Sequence, residues 1–213
     1  MPEGFVLGVF VKAPLAGRVK IRLAAAIGPE AAAALYRRLG TRVVRSVTSD
    51  AYRTAVWYAP RRHGALVREW LRAVGVSGFH PQSGGSLGDR LRAAFATHLA
   101  EGALRVVLIG SDCPGVDRRV IGEAFAGLDD HDVVLGPARD GGYYLIGMKA
   151  LHEPLFRGIL WSSAGVLGET RAIARRLDLS CGLLRRLRDV DTVADARALG
   201  LMPPSRLDTA RVS

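Results

Sequence analysis

Asp189 and Asp191 are two positions apart in Arg188-Asp189-Val190-Asp191-Thr192, so an extended chain points both carboxylates to one side. A third carboxylate, Asp112, follows the apolar run Val106–Ile109 through Gly110 and Ser111. Three such hard-oxygen side chains can hold Mg2+ or Mn2+. Each has a plainer reading too. Asp112, two residues before Pro114, can form an Asx-turn, and Asp191 or Thr192 can cap the helix that follows. A second kind of chemistry sits in Lys12-Ala-Pro-Leu-Ala-Gly17-Arg18-Val-Lys20-Ile-Arg22-Leu23. Pro14 and Gly17 make this an irregular loop, and Arg18, Lys20 and Arg22 bring cations to the point where it meets a helix, which suits phosphate; a solvated basic loop is the alternative. The spacing is neither that of a Walker A loop nor of a Rossmann dinucleotide turn.

A third segment, Leu135-Gly-Pro-Ala-Arg139-Asp140-Gly141-Gly142-Tyr143-Tyr144-Leu145, sets a polar glycine-rich loop between two apolar runs. It reads as a hairpin turn or as backbone passing close to a ligand, with the tyrosine pair available to stack on a ring or sugar. Cys113 has no histidine near it in sequence and is not favoured as a nucleophile.

These segments need strands to end beside them. Short apolar runs predict strands at Phe5–Val11, Thr54–Tyr58, Gly78–Gln82, Arg105–Ile109, Val133–Leu135 and Tyr143–Met148, with a last one at Leu183–Leu187. Between them, 3.6-residue periodicity predicts helices at Glu30–Val47, Ala65–Val74, Leu87–Leu99, Arg119–Leu128 behind an Asp117 cap, Ala164–Leu177 capped by Ser162 or Ser163, and near Val193–Leu199. Alternation of this kind implies an α/β domain on a mostly parallel sheet, with ligands at the carboxyl ends of the strands. One domain over residues 1–201 is expected, and Pro203, Pro204 and Ser205 open a tail, 202–213, expected to be flexible.

Composition narrows the function. Of 213 residues, 49% are hydrophobic and 23% charged, which is a folded chain rather than a disordered one. Thirty basic against twenty acidic residues give a formal net charge of +10. Only Lys12, Lys20 and Lys149 are lysines, and the arginines are scattered without a nucleic-acid-binding motif, so the charge favours anionic small molecules over a specific nucleic acid. No apolar run nears the roughly 18 residues of a membrane span. The start Met-Pro-Glu-Gly lacks a basic signal-peptide region. Cys113 and Cys181 form no CxxC pair. A cytoplasmic protein is expected.

In order, the motifs Phe10-x-Lys12-x-Pro-x-x-Gly17-x-x-Lys20-x-Arg22-Leu, Gly88-Asp89-Arg90-Leu91, Gly110-Ser-Asp112-Cys-Pro, Gly136-Pro-x-x-Asp140-Gly141-Gly142-Tyr143-Tyr-Leu-Ile-Gly, Leu155-Phe-x-x-Ile-x-Trp161-Ser162 and Asp189-Val-Asp191-Thr resemble the DUF2064 family. That family belongs to the nucleotide-diphospho-sugar transferase, or GT-A-like, superfamily, and the likeness runs from about Phe5 to Leu199. It departs at Ile21, where the family usually has threonine. The resemblance implies a single-domain, GT-A-like (Rossmann-like) three-layer sandwich. It implies Lys12, Gly17, Arg18, Lys20, Arg22, Gly88, Asp89 and Arg90 on the nucleotide and phosphate side, and Asp112 as first ligand of Mg2+ or Mn2+ with Asp189 and Asp191 as the second acidic arm. On the acceptor side it implies Asp140 as a possible base, with Gly141, Gly142, Tyr143, Trp161 and Ser162. The expected activity is metal-dependent transfer from a nucleotide-activated substrate to an unknown acceptor. Glycosyl transfer from a nucleotide-diphospho-sugar comes first. The alternatives are nucleotidyl transfer from a nucleoside triphosphate, as in the similar phospholactate guanylyltransferases, and nucleotide binding without turnover.

Overall fold

The computed structural model describes residues 4–202, so the tail expected from residue 202 onward lies, Met202 apart, outside the described residues. Phe5–Lys12 forms β1, whose Leu7, Val9 and Val11 face one apolar cluster while Val6 faces a second. A strand apolar on both faces must be covered on both. The chain continues through α1 (Ile21–Ile27), α2 (Pro29–Val47), β2 (Arg53–Ala59), α3 (Gly64–Leu71), β3 (Gly78–Pro81), α4 (Leu87–Ala100) and β4 (Arg105–Gly110). Then follow α5 (Arg118–Asp130), β5 (Val133–Pro137), β6 (Tyr143–Met148), α6 (Val166–Arg176), β7 (Cys181–Leu183) and α7 (Val193–Ala198).

The strands make one sheet in the order β3-β2-β1-β4-β6-β5-β7, parallel at every junction except the two made by β6. Helices α2, α3 and α5 cover one face through residues such as Leu35, Leu39, Val43, Val67, Leu71, Ile121 and Leu128. Helices α4 and α6 and the turn Glu153–Phe156 cover the other through Leu91, Phe95, Leu155, Phe156 and Ile173. This is the α/β domain on a mostly parallel sheet expected from the alternation of runs, in the three-layer arrangement that the resemblance implies. None of the described helices is long and apolar enough to cross a membrane.

Topology places the site. From β1 the chain lays β2 and β3 on one side, then returns to lay β4 on the other side of β1, and that reversal opens a crevice at the carboxyl ends of β1 and β4. The loop 13–20 and the segment Ser111–Gly115 leave from those two ends.

Most element ends fall within about three residues of the sequence expectation, and three elements depart from it in kind. Helix α1 was not expected, being a single short alanine-rich stretch with only Leu23 buried, too short for a periodic signal. Gly28, at φ 85°, ends it and starts α2, whose first residue is Pro29. Helix α6 starts at Val166, after a Gly165 cap with no side-chain bond; Ser163 instead accepts from the Gly165 amide, and Ser162 is left-handed at φ 68°. The last strand is Cys181–Leu183 rather than Leu183–Leu187, and Leu187 pairs only with Ala138 in an isolated bridge.

The 138–142 loop is a hairpin connection between antiparallel strands, and its backbone also passes close to another segment. At Gly141, φ is 93° and an added Cβ would stand 2.2 Å from the Ala164 carbonyl oxygen, while the Gly141 carbonyl accepts from the Leu167 amide at 3.0 Å. Gly141→Ala should therefore cost about 3 kcal/mol through overpacking and backbone strain, seen as a fall in Tm of roughly 6–12 °C. An unchanged Tm would mean that the two loops are not held together here.

Candidate active site

The loop after β1 is built on short backbone bonds, Leu15 to Ala13 and Arg18 to Leu15, with Gly17 at φ 68°. It ends at Lys20 in a left-handed conformation, φ 49° and ψ 51°, unusual for a residue with a side chain. Buried Val19 and Leu23 flank this turn and aim the Lys20 side chain inward, where only 5% of it is exposed. Its ammonium lies 2.9 Å from Asp112 Oδ2 and 2.9 Å from Asp191 Oδ1. Both partners are about two-fifths exposed, so the ion pair is sealed on the lysine side and open on the carboxylate side.

The acidic arm is held against the β4 loop by backbone. The Val190 amide donates to the Asp112 carbonyl at 3.0 Å, and the Cys113 thiol donates to the Arg188 carbonyl at 3.4 Å. Thr192 is the cap of α7, in a reciprocal box with Asp195. Asp191 is thus released from capping and faces Lys20. Asp189 Oδ1 is buried without a hydrogen-bond partner among the described residues. Burial, and then the charges of Asp112, Asp140 and Asp191, push the Asp189 carboxyl up to about 7. At Lys20 burial opposes the charged form, but the charges and hydrogen bonds of Asp112 and Asp191 outweigh it and raise its pKa. Burial also pushes the Cys113 thiol well up, which leaves it protonated and unsuited to nucleophilic work.

Two positioning residues escaped the sequence reading. Tyr36, on the apolar stripe of α2, accepts from the Lys12 amide at 2.8 Å and shares a 3.0 Å hydrogen bond with Ser111 Oγ. This buried link ties the ends of β1 and β4 together one residue before Asp112. A lone hydroxyl on an otherwise apolar helical stripe was the available signal, because buried hydroxyls need partners.

The remaining expected residues are distributed as follows. Lys12, Gly17, Arg18 and Arg22 are exposed, and among the described residues none of these three cations has an ion-pair partner. Lys20, expected on the phosphate side with them, is engaged by two carboxylates. Asp89 closes a capping box with Ser86 at the start of α4, so its carboxylate serves the helix. Gly88 makes room for an indole: an added Cβ would stand 2.6 Å from the Trp161 ring and 2.7 Å from the Phe156 carbonyl oxygen. Among the described residues, the buried Nε of Arg90 has no hydrogen-bond partner. On the other side, Asp140 Oδ1 accepts from the Gly142 amide at 2.9 Å, and Tyr143 meets Trp161 edge to face at 6.4 Å. The tyrosine pair is not a stacking platform. Tyr144 is buried and donates to the Arg185 carbonyl, and the Tyr143 hydroxyl is also buried. Ser162 shares the loop of Trp161.

A cation belongs between Asp112 and Asp191, and the ammonium stands where it would go. Carboxylate oxygens are the donors that Mg2+ and Mn2+ prefer, and the orphaned Asp189 Oδ1 adds one more, so the residues fit such an ion in chemistry. Among the described residues, however, no three such side chains already converge as a metal cage. A separate concavity of about 540 Å3 on the outer face of α2, lined by Arg37, Arg38, Thr41, Arg42, Arg45 and Ser46, contains none of these groups.

An aspartate ordinarily titrates near 3.8. With Asp189 near 7 in the folded protein, the native state holds a proton that the unfolded chain has lost between those values. Its contribution to stability therefore falls as pH rises from about 4 to about 7 and is level above that. In EDTA, wild-type protein should lose stability relative to Asp189→Asn between about pH 4.5 and about pH 7.5 in urea unfolding. Parallel stability curves for the two proteins would contradict this environment.

Residues 42–163 match the model of a family described as an uncharacterized protein conserved in bacteria, DUF2064. No curated protein matches the sequence. A crystal structure of a protein from Desulfovibrio desulfuricans G20, provisionally named a nucleotide-diphospho-sugar transferase, is 34% identical. The match covers 92% of this chain and 85% of that one, with a TM-score of 0.86. The manganese complex of Rv0371c from Mycobacterium tuberculosis H37Rv is 16% identical over 91% of this chain and 97% of that one, at a TM-score of 0.54. CMP:2-keto-3-deoxy-manno-octonic acid synthetase complexed with CTP is 12% identical over 99% and 100%, at 0.56. The last two share the fold. The family model matches more than half of the chain, and the 34% identical relative is matched over 92% of it, so the chain belongs to the DUF2064 family.

Proposed function

We propose that this protein is a divalent-metal-dependent transferase acting on a nucleotide-activated substrate, with transfer of a glycosyl group from a nucleotide-diphospho-sugar as the first reading. The observation that carries it is the meeting of Lys20 with Asp112 and Asp191 at the crevice between β1 and β4, where α/β folds bind nucleotides. The 34%-identical relative, named for this substrate class, supports the choice of donor.

In this reading the exposed cations Lys12, Arg18 and Arg22 draw in the diphosphate, and Lys20 donates hydrogen bonds to it. Asp112, Asp189 and Asp191 would hold Mg2+ or Mn2+, which when bound offsets the charge that develops on the leaving diphosphate. Asp140 Oδ1 is taken by the Gly142 amide, and Oδ2 remains to accept the proton of an acceptor hydroxyl. That hydroxyl oxygen bonds to C1 of the sugar as the C1–oxygen bond to phosphate breaks, and the nucleoside diphosphate leaves. Trp161, laid against Gly88 and Tyr143, forms the wall on the acceptor side. Such a substrate is consistent with the cytoplasmic location expected from the sequence.

A second reading, nucleotidyl transfer with release of pyrophosphate, is favoured by the match over nearly the full length of both chains to a synthetase that holds CTP. Phosphorus NMR separates the two. With Mn2+ and a panel of nucleotide sugars and nucleoside triphosphates, the protein should release nucleoside diphosphate from one nucleotide sugar. Asp112→Ala should slow this by about 100-fold or more. Pyrophosphate from one triphosphate would instead establish the second reading. Nucleotide binding without turnover, unchanged in Asp112→Ala, would refute both and leave a binding protein.

A further inference from the structure

Lys20 is pinned on both sides of its α-carbon, by the buried Val19 before it and by α1, anchored through Leu23, after it. Its left-handed backbone directs the side chain to one place, where the ammonium lies 2.9 Å from an oxygen of each of two carboxylates. Those oxygens belong to the residues that would hold a divalent ion, so ammonium and metal compete for the same charge. A bare metal ion that took them would leave Lys20, only 5% exposed on its side chain, with a charge and no anion to meet it. Burying an unpaired charge is unfavourable. A metal that arrives with phosphate removes the conflict, because the phosphate gives the displaced ammonium a new partner.

We infer that Lys20 is a resident counter-ion that makes divalent-metal binding conditional on a phosphate-bearing ligand, so that metal and phosphate bind cooperatively and the free protein holds metal weakly. The inference rests on the reading of Asp112 and Asp191 as metal ligands. By reciprocity the metal must strengthen phosphate binding by the same factor as phosphate strengthens metal binding, and couplings of this kind are typically about 5–150-fold.

Equilibrium dialysis of the full-length protein against Mn2+ alone, and against Mn2+ with pyrophosphate, reads only what the protein retains. Wild type should retain Mn2+ at least about tenfold more tightly with pyrophosphate than without it. Lys20→Met should bind Mn2+ alone at least about tenfold more tightly than wild type, and should gain less from pyrophosphate. Its melting temperature should also rise more with Mn2+ than that of wild type. The inference is overturned if folded Lys20→Met binds Mn2+ no more tightly than wild type, or if wild type retains Mn2+ equally with and without pyrophosphate. Should the variant not fold, the two wild-type measurements decide alone. Turnover is not part of the readout. Pyrophosphate-dependent Mn2+ retention without any nucleotide turnover would refute the transferase and keep this inference, whereas turnover in a protein whose Lys20→Met binds Mn2+ no more tightly would do the reverse.

Discussion

Four carboxylates, those of Asp112, Asp140, Asp189 and Asp191, influence one another at the end of the sheet, and the cation set among them is the ammonium of Lys20. Like charges gathered at a partly buried place repel, and a fold that assembles them must supply a counter-charge or let one of them take a proton. Here both happen, since Lys20 bridges two of the carboxylates and Asp189 is pushed toward neutrality. The surroundings serve this balance. The left-handed turn at Lys20 aims the ammonium, the bond from Val190 to Asp112 brings the acidic arm to the β4 loop, and Thr192 takes over capping so that Asp191 is available.

The position of those groups rests in turn on apolar packing. Helix α2 buries Leu35, Leu39, Val43 and Val47 against the sheet, and the same stripe carries Tyr36 to the ends of β1 and β4, where its hydroxyl joins the Lys12 amide to Ser111. On the opposite side of the crevice, the close approaches at Gly88 and Gly141 let Trp161 and the Ala164 carbonyl lie against neighbouring backbone. Core, close glycine contacts and charged cluster are connected through the strand ends, which the Tyr36 hydroxyl ties together beside Asp112.

Charge works at two scales. The chain carries a formal +10, and Lys12, Arg18 and Arg22, close to Lys20 in sequence, are exposed, which favours the arrival of anions. The cluster itself has more negative than positive groups, and a phosphate set directly against it would be repelled. Exposed cations together with an acidic centre would suit a phosphate ligand that brings a further cation with it.

Six of the seven strands, the longer helices that cover them and a mostly parallel sheet were readable from periodicity, because burial on two faces of a sheet leaves apolar runs and amphipathic stripes along the chain. Candidate carboxylates could also be read, because polar residues that follow an apolar strand stand at the sheet edge. Short or irregular features were less accessible. Helix α1 is too brief to show a period, and α6 starts after Gly165 without a serine cap. Tyr144 and Asp89, attractive in sequence, are used by the core and by a helix cap. What only the tertiary structure decided is which charge meets which. Lys20 and Asp191 are 171 residues apart, and no local preference of either records the other. Their meeting follows from a topology that reverses between β1 and β4 and brings the last acidic arm back to the first loop. Local sequence determines what each segment can become, whereas an ion pair between distant segments exists only once the packed sheet has set the distance between them.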